Sequence, residues 1–540
     1  SATAGQVADR LPKTQLILWA KMAEVALMLA AGIGFLTGSV PALLGVLFGL
    51  GVQATVFSPL KYGVLPEQLQ EDELVAGNGI IEASTFLAIL IGTLAGGWLI
   101  LMTGGAAMVA GAGLVVSLIG LSSASRMLPV EAANPTLAIN PNIAAETLHT
   151  VRESMAIRPV WLSILGLSWF WTVGATLLTA FPVLVRDTLQ ADGHVVTIFL
   201  TLFALGVGVG SMACAQLLHG EVSPRHVPFA ALGISIFCWD FAQACAGAGA
   251  AGSLTTVNAV LTSFTGWRVL VDLALLAACG GIFSVPLYAI IQDCSPPDGR
   301  ARMIASNNIV NAVFMVAGAG AAAALDAAGL DAPGILMVTA AVNLGVAIWI
   351  VQLLPQDVFR ALFRLYFETL HGVEVRGLEN YRAAGQRVVI VANHQSFADA
   401  ALIACYLPEA PTFAVYTKIA EAWWTQPFLK AVDVFKVDIL SPYAIRHMVQ
   451  AVRDEGRKLM IFPEGRLTKT GSLMKVYEGA GVVADKADAM VLPISIEGLQ
   501  FTRLGRMKGK LRMRWFPRLS VTVMPPVKLL DESEHTGDTV

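Results

Sequence analysis

Hydrophobic and polar positions divide the chain into two unlike parts. Up to residue 354, long apolar stretches alternate with short polar loops. They fall near 16–37, 39–57, 79–101, 104–122 and 160–181, and again near 194–217, 227–247, 268–291, 303–325 and 333–354. An apolar run of about 20 residues crosses the hydrocarbon of a bilayer as a helix, so about ten spans are predicted. Beyond residue 371 the runs shorten. Val388-Val-Ile-Val-Ala392, Lys458-Leu-Met-Ile-Phe462 and Val491-Leu-Pro-Ile494 are brief and largely apolar. Such runs predict strands of an α/β domain covered on both faces. A helix is expected over 442–455, stopped by Gly456.

Between the two parts, Phe359, Leu362, Phe363, Tyr366, Phe367 and Leu370 recur at helical spacing, with Arg360 and Arg364 among them. That pattern suits a helix lying in the bilayer interface, and equally the first core helix of a soluble domain. The predicted fold is therefore multi-domain. An all-α polytopic bundle over 1–354 is followed by an amphipathic connector over 355–370, an α/β domain over 371–530 and a polar tail over 531–540.

Composition agrees. The chain is 55% hydrophobic and 14% charged, with a mean hydropathy of +0.66, which excludes an ordinary soluble protein. Cys214, Cys238, Cys245 and Cys279 lie in apolar runs with no metal-ligand spacing, so neither a metal nor a disulfide framework is expected. No signal peptide is read, and the opening Ser1-Ala-Thr-Ala-Gly5 without methionine suggests a chain cut from something longer. If the first loop lies inside, Arg10, Lys13, Lys61, Arg126, Arg300 and Arg302 all lie inside, while Arg186 falls outside. The α/β domain then sits on the cytoplasmic side. The stretch 503–518 is basic, with Trp515 and Phe516. It suits an anionic headgroup, an acyl-carrier-protein surface or a plainly solvated face; nothing else supports a nucleic-acid partner.

The chemistry gathers at two predicted strand ends. His394 follows the run 388–392 almost at once, with Asp399 five residues on, where it would open a helix. In open α/β sheets ligands bind beyond the carboxyl ends of the strands. An Asp at a helix start can cap free amides and still reach an imidazole, and a His so held is a general base. After 458–462 comes Pro463-Glu-Gly-Arg466, where Gly465 permits close backbone approach and Arg466 offers a planar fork for phosphate.

His394 with Asp399, and Phe462-Pro-Glu-Gly-Arg466, resemble the HxxxxD and second blocks of the glycerophospholipid acyltransferase superfamily. The run 462–475 and Tyr477-Glu-Gly-Ala-Gly481 are similar to the acyltransferase part of the bifunctional 2-acylglycerophosphoethanolamine acyltransferase/acyl-carrier-protein synthetases. The resemblance implies catalysis by His394 and Asp399 and substrate binding by Glu464, Gly465 and Arg466, with Ser396 and Lys436 as further substrate-binding candidates. Relatives place an arginine after the Ile-Asp of a middle block; here Val437-Asp438 is followed by Ile439 and preceded by Lys436. No resident cofactor is implied, an acyl-ACP or acyl-CoA being the co-substrate.

In the apolar part, Gly5-Gln-Val-Ala-Asp-Arg-Leu-Pro-Lys13 resembles the loop between the second and third helices of the major facilitator superfamily. That resemblance implies that Asp9, Arg10 and Lys13 latch helix ends, and that ten spans are a twelve-helix bundle lacking two. Pro59-Leu-Lys-Tyr-Gly-Val-Leu-Pro66 and Ala76-Gly-Asn-Gly-Ile-Ile-Glu-Ala83 recur weakly as Pro286-Leu-Tyr-Ala-Ile-Ile-Gln292 and Ala305-Ser-Asn-Asn-Ile-Val-Asn-Ala312, an internal repeat typical of such transporters. Residues 21–30 and 62–82 look like its bacterial lysophospholipid transporter branch. Glu24, Glu82, Asp240 and Asp272 fall inside spans, where charge is costly and usually functional. Lys21 with Glu24, and Arg268 with Asp272, are spaced to pair on one helix face. Asp9, Arg10, Glu24 and Glu82 are the transport candidates. The glycines, among them Gly92, Gly96, Gly97, Gly206, Gly210 and Gly320, read as close helix packing. Together the resemblances imply a multi-pass protein of the bacterial inner membrane that moves lysophospholipid inward and reacylates it, with membrane lipid and acyl carrier protein or acyl-CoA as partners. A 1-acylglycerol-3-phosphate acyltransferase anchored by an inert bundle is the alternative.

Overall fold

A computed structural model of the chain describes residues 1–218, 220–423, 429, 432–437, 443–469, 473–503 and 511–529. It divides into two compact units, Ser1–Val351 and Gln352–Val540, each taken by itself below.

The first unit is helical because lipid offers no partner to backbone amides, so each apolar run must bond within itself. A short helix, α1 (Ala2–Arg10), precedes α2 (Lys13–Thr37), α3 (Val40–Gly63), α4 (Leu74–Ile100) and α5 (Gly105–Ala124). A second short helix, α6 (Ile143–Ala156), leads into α7 (Arg158–Val183), α8 (Gly193–Leu218), α9 (Val227–Ala251), α10 (Phe264–Cys294), α11 (Arg300–Ala327) and α12 (Ala332–Leu353). Among the described residues ten helices are long and apolar enough to cross a membrane, at the ten predicted stretches. Caps mark their limits: the Ser39 hydroxyl accepts from Ala42 N–H at the start of α3, and Gly38 ends α2 at φ +65°.

Burial ranks these helices. In α10, 72% of the apolar window lies inside the bundle, against 6% for the α3 span, so α10 forms the core and α3 keeps an outward apolar face. The contact of α8 with α10 is backbone on backbone. A Cβ on Gly210 would sit 2.0 Å from the Ala278 carbonyl, and one on Gly281 2.4 Å from that of Val207. Glycine is required there. The expectation fails at Gly92, Gly96, Gly97 and Gly320, around which a Cβ would meet nothing within 4 Å. The sequence repeat has a structural counterpart: Pro59 and Pro286 both lie within helices, α3 and α10. Asn78 and Glu82 of α4 are buried, as are Asn307 and Asn311 of α11.

The second unit opens with α13 (Pro355–His371). Phe359, Phe363 and Phe367 pack on the core of the domain. Leu362, Leu365, Tyr366 and Leu370 remain exposed. The core-helix reading is thus borne out by one face, and the other face is apolar and exposed. An eight-stranded sheet follows: β1 (Glu374–Arg376), β2 (Val388–Ala392), β3 (Thr412–Tyr416), β4 (Val434–Val437), β5 (Leu459–Ile461), β6 (Met490–Glu497), β7 (Ser520–Val523) and β8 (Val527–Lys528). Their order is β1-β7-β6-β2-β5-β3-β4, with β8 against β6. β6, β2, β5, β3 and β4 run parallel; β7 and β8 are antiparallel to β6. Val388 and Ile390 face one core cluster and Val389 the other, so β2 is covered on both sides as its unbroken apolar run predicts. The helix expected over 442–455 is α15 once α14 (Asp399–Tyr406) is counted; it spans Ala444–Arg453, before Gly456 at φ +66°. The tail 531–540 lies outside the described residues.

Candidate active site

The site begins where β2 stops. The Asn393 amide donates to the Ile496 carbonyl and accepts from the Ile496 N–H, each at 2.8 Å. A side chain thus continues the ladder with β6 while the backbone turns out of the sheet, carrying His394 with it. Asp399 is fully buried, and one oxygen, Oδ2, accepts from His394 Nδ1 at 2.9 Å, Gln395 N–H at 2.6 Å and Ser396 N–H at 2.9 Å. This corrects the expected cap: the amides bound are those before Asp399, not those of its own helix, and Oδ1 has no partner among the described residues. Burial pushes the Asp399 carboxyl above its ordinary value, against the opposing pull of His394 and the two N–H donors. Asp399 on Nδ1 leaves Nε2 as the basic nitrogen of the neutral ring.

The second motif braces the first. The His394 ring stacks on Phe462, centroids 4.1 Å apart. Pro463 and Glu464 turn under a bond from Gly465 N–H to the Phe462 carbonyl at 3.0 Å, with Gly465 at φ +64°. Glu464 is buried and both its oxygens are occupied, Oε1 by His394 N–H at 2.9 Å and Oε2 by Met474 N–H at 3.0 Å. Thr468 N–H donates to the His394 carbonyl at 2.8 Å. Glu464 therefore clamps the two loops together. Replacing Glu464 by alanine leaves two amides without their acceptor, and is expected to destabilise the domain by about 3–6 kcal/mol, two charge-assisted bonds. Thermal unfolding measures the loss; kcat falls with it because His394 is no longer held.

Of the remaining candidates, Arg466 is exposed and has no ion-pair partner among the described residues, so its fork is free for an anion. Ser396 is fully buried and its hydroxyl accepts from Ala398 N–H at 3.2 Å, within the loop. Lys436 is exposed on the edge strand β4, paired in register with Val415. Three strand spacings separate it from β2, about 14 Å; the middle-block Asp438 lies outside the described residues. The sequence alone left Phe462, Asn393 and Gln395 without roles. Asn at the end of an apolar strand was the one available signal.

In the helical unit, Asp9 is fully buried and ties α1 to α11. Its oxygens accept from Ala301 N–H at 3.0 Å and from Arg302 N–H and Nε, each at 3.3 Å. Burial raises its carboxyl to about 6, against the Ala301 amide, Lys13 and Arg302. Arg302 extends the tie to Glu153 of α6 at 2.9 Å, and Lys13 pairs with Glu67. Arg10 is exposed and has no ion-pair partner among the described residues. Glu24 accepts from Lys21 at 2.8 Å and from Gln53 at 3.0 Å. Glu82 is fully buried, bound by the Tyr62 hydroxyl, with its other oxygen unpartnered among the described residues. Tyr62 stacks on Tyr288, centroids 4.4 Å apart. The expected pairing of Arg268 with Asp272 is corrected: Arg268 binds Asp240 on the neighbouring α9, Nε to Oδ2 at 3.1 Å, because a partner across the helix contact meets its fork bidentately.

The lysophospholipid transporter LplT of Pectobacterium carotovorum subsp. carotovorum (strain PC1) is 32% identical over 321 residues, covering 56% of this chain and 68% of that protein. The LplT of Enterobacter sp. (strain 638) is 30% identical over 338 residues, covering 61% and 77%. The chain belongs to the lysophospholipid transporter family. To that family's bundle it adds a second domain: the family model described as Acyltransferase matches residues 372–497, which include both motifs. The human organic anion transporter MFSD10 (TETRAN) shares the facilitator fold, with a TM-score of 0.52 at 16% identity, over 64% of this chain and 79% of that one. This member of the family is thus a multi-pass facilitator-type bundle fused to an α/β acyltransferase.

Proposed function

We propose that the protein brings lysophospholipid, preferentially 2-acylglycerophosphoethanolamine, inward across the bacterial inner membrane and reacylates it on the cytoplasmic side. The acyl group comes from a thioester, acyl-ACP or acyl-CoA. His394 Nε2 takes the proton of the acceptor's free hydroxyl as its oxygen attacks the thioester carbonyl. The new ester bond forms, the carbon–sulfur bond breaks, and the leaving thiolate recovers the proton from the imidazolium. Asp399 holds the ring in the required tautomer and steadies its positive form. Arg466 takes the acceptor's phosphate.

The observation that carries this reading is the His394–Asp399 bond beside a free guanidinium on the next strand end, in a chain whose bundle belongs to a lysophospholipid transporter family. The test is acyl transfer by the full chain in nanodiscs, with lysophosphatidylethanolamine and lysophosphatidic acid in competition. The ethanolamine lipid is expected to be preferred, and Arg466→Ala to raise its KM about tenfold, one charge-assisted contact. Preference for lysophosphatidic acid, or no transfer to either, would reject the proposed substrate.

A further inference from the structure

The sheet order places two different surfaces beside His394. On the β5 side lie Glu464, Gly465 and Arg466. On the other side, the tops of β6, β7 and β1 enclose a cleft of about 730 Å³, within the range of about 300–1,000 Å³ common for small-molecule sites. The reaction as read above engages nothing in this cleft.

Its lining has a definite chemistry. Gln395, next in sequence to His394, reaches the cleft with only 8% of its surface exposed, and its Oε1 has no hydrogen-bond partner among the described residues. A buried carbonyl oxygen left bare is costly and calls for an N–H donor. Glu374 and Glu497 add acceptors, the first held by Arg376 at 2.7 Å and the second 3.5 Å from the Ser520 hydroxyl. Arg518 lines the β7 side, exposed and without an ion-pair partner among the described residues. Two strand spacings, about 10 Å, separate that side from β2. Phe501 lines the cleft beneath the Arg514 guanidinium, 5.7 Å from its ring centre. Gly498 shapes the junction: at φ +97°, a Cβ there would lie 2.2 Å from the Arg518 carbonyl. The cleft thus offers a bare amide oxygen next to the general base and one lining cation, Arg518, on its β7 side, with Glu374 beyond it neutralised by Arg376.

A ligand matching this order carries secondary amides near the reacting end and a phosphate farther away. We propose that the cleft admits the 4'-phosphopantetheine arm of the acyl donor, Gln395 accepting from an amide N–H and Arg518 binding the phosphate. The inference rests on the acyl-thioester reading above and extends it to the donor's path. Donor and acceptor then approach His394 from opposite sides of β2. Free CoA and holo-ACP share this arm, so both carriers are probed.

The experiment is equilibrium binding of CoA, and separately of holo-ACP, to the full chain in nanodiscs. Wild type is compared with Gln395→Leu and the exposed-site variant Arg518→Ala. Gln395→Leu is expected to weaken carrier binding about threefold to tenfold, one neutral hydrogen bond, and Arg518→Ala about tenfold, one charge-assisted contact. The KM for lysophosphatidylethanolamine should stay within twofold. Loss with both carriers supports the shared arm; loss with one supports the site and identifies the carrier. Unchanged affinity for both carriers in Arg518→Ala, or no carrier binding by wild type, overturns the proposal. Should Gln395→Leu fail to fold, Arg518→Ala decides alone. If carriers bind as expected while no acyl group reaches lysophospholipid, the acceptor reading fails and the donor cleft stands.

Discussion

Replacing His394 by alanine is expected to lower kcat for acyl transfer by about 10²- to 10⁴-fold, the usual contribution of a positioned general base. No nearby side chain can substitute. Glu464 has both oxygens committed to backbone amides, and Asp399 is buried behind the ring. The stability cost should be small by comparison, about 1–2 kcal/mol for the lost stacking on Phe462 and the lost bond to Asp399. Acceptor KM should hardly move, because Arg466 is untouched. A rate loss of this size with a nearly unchanged unfolding curve would separate chemistry from folding.

Asp399→Asn should lower the rate about tenfold, the difference between a charge-assisted and a neutral hydrogen bond to the imidazolium. The asparagine oxygen can still accept from the Gln395 and Ser396 amides. Because one oxygen takes all three donors, it also keeps His394 Nδ1 and with it the ring tautomer; what is lost is the negative charge that steadies the imidazolium. Stability should shift the other way. The folded carboxyl is raised by burial, so its contribution is fully present below the unfolded value of about 3.9 and is lost as pH rises through the folded one. Asparagine carries no such loss. The variant's Tm relative to wild type should therefore rise with pH across that window and match it at lower pH. Thermal unfolding across pH, beside the rate, tests both parts.

Much of this was legible in the residues. Ten apolar stretches fix ten helices because lipid leaves the backbone no other solution. The unbroken run Val388 to Ala392 predicted a strand covered on both faces, and the following His394 a residue at its carboxyl end. What the sequence could not show is which partner each polar group takes. Asp399 accepts from amides before it because the loop 395–398 folds back, a tertiary outcome no spacing encodes. Glu464 resembled a substrate contact but clamps two loops. Arg268 took Asp240 over Asp272 because a neighbouring helix came within reach. The glycines divide likewise: Gly210 and Gly281 meet backbone, whereas Gly92 and Gly96 meet nothing.

The central claim joins two activities in one chain: the bundle moves lysophospholipid and the His394 centre acylates it. Proteoliposomes bearing the full chain, with fluorescent lysophosphatidylethanolamine added outside and acyl donor present on the acyltransferase side, measure both. Wild type is expected to move and acylate the lipid, and His394→Ala to move it at the wild-type rate with no new diacyl product. Acylation persisting in that variant, or no movement by either protein, would contradict the account.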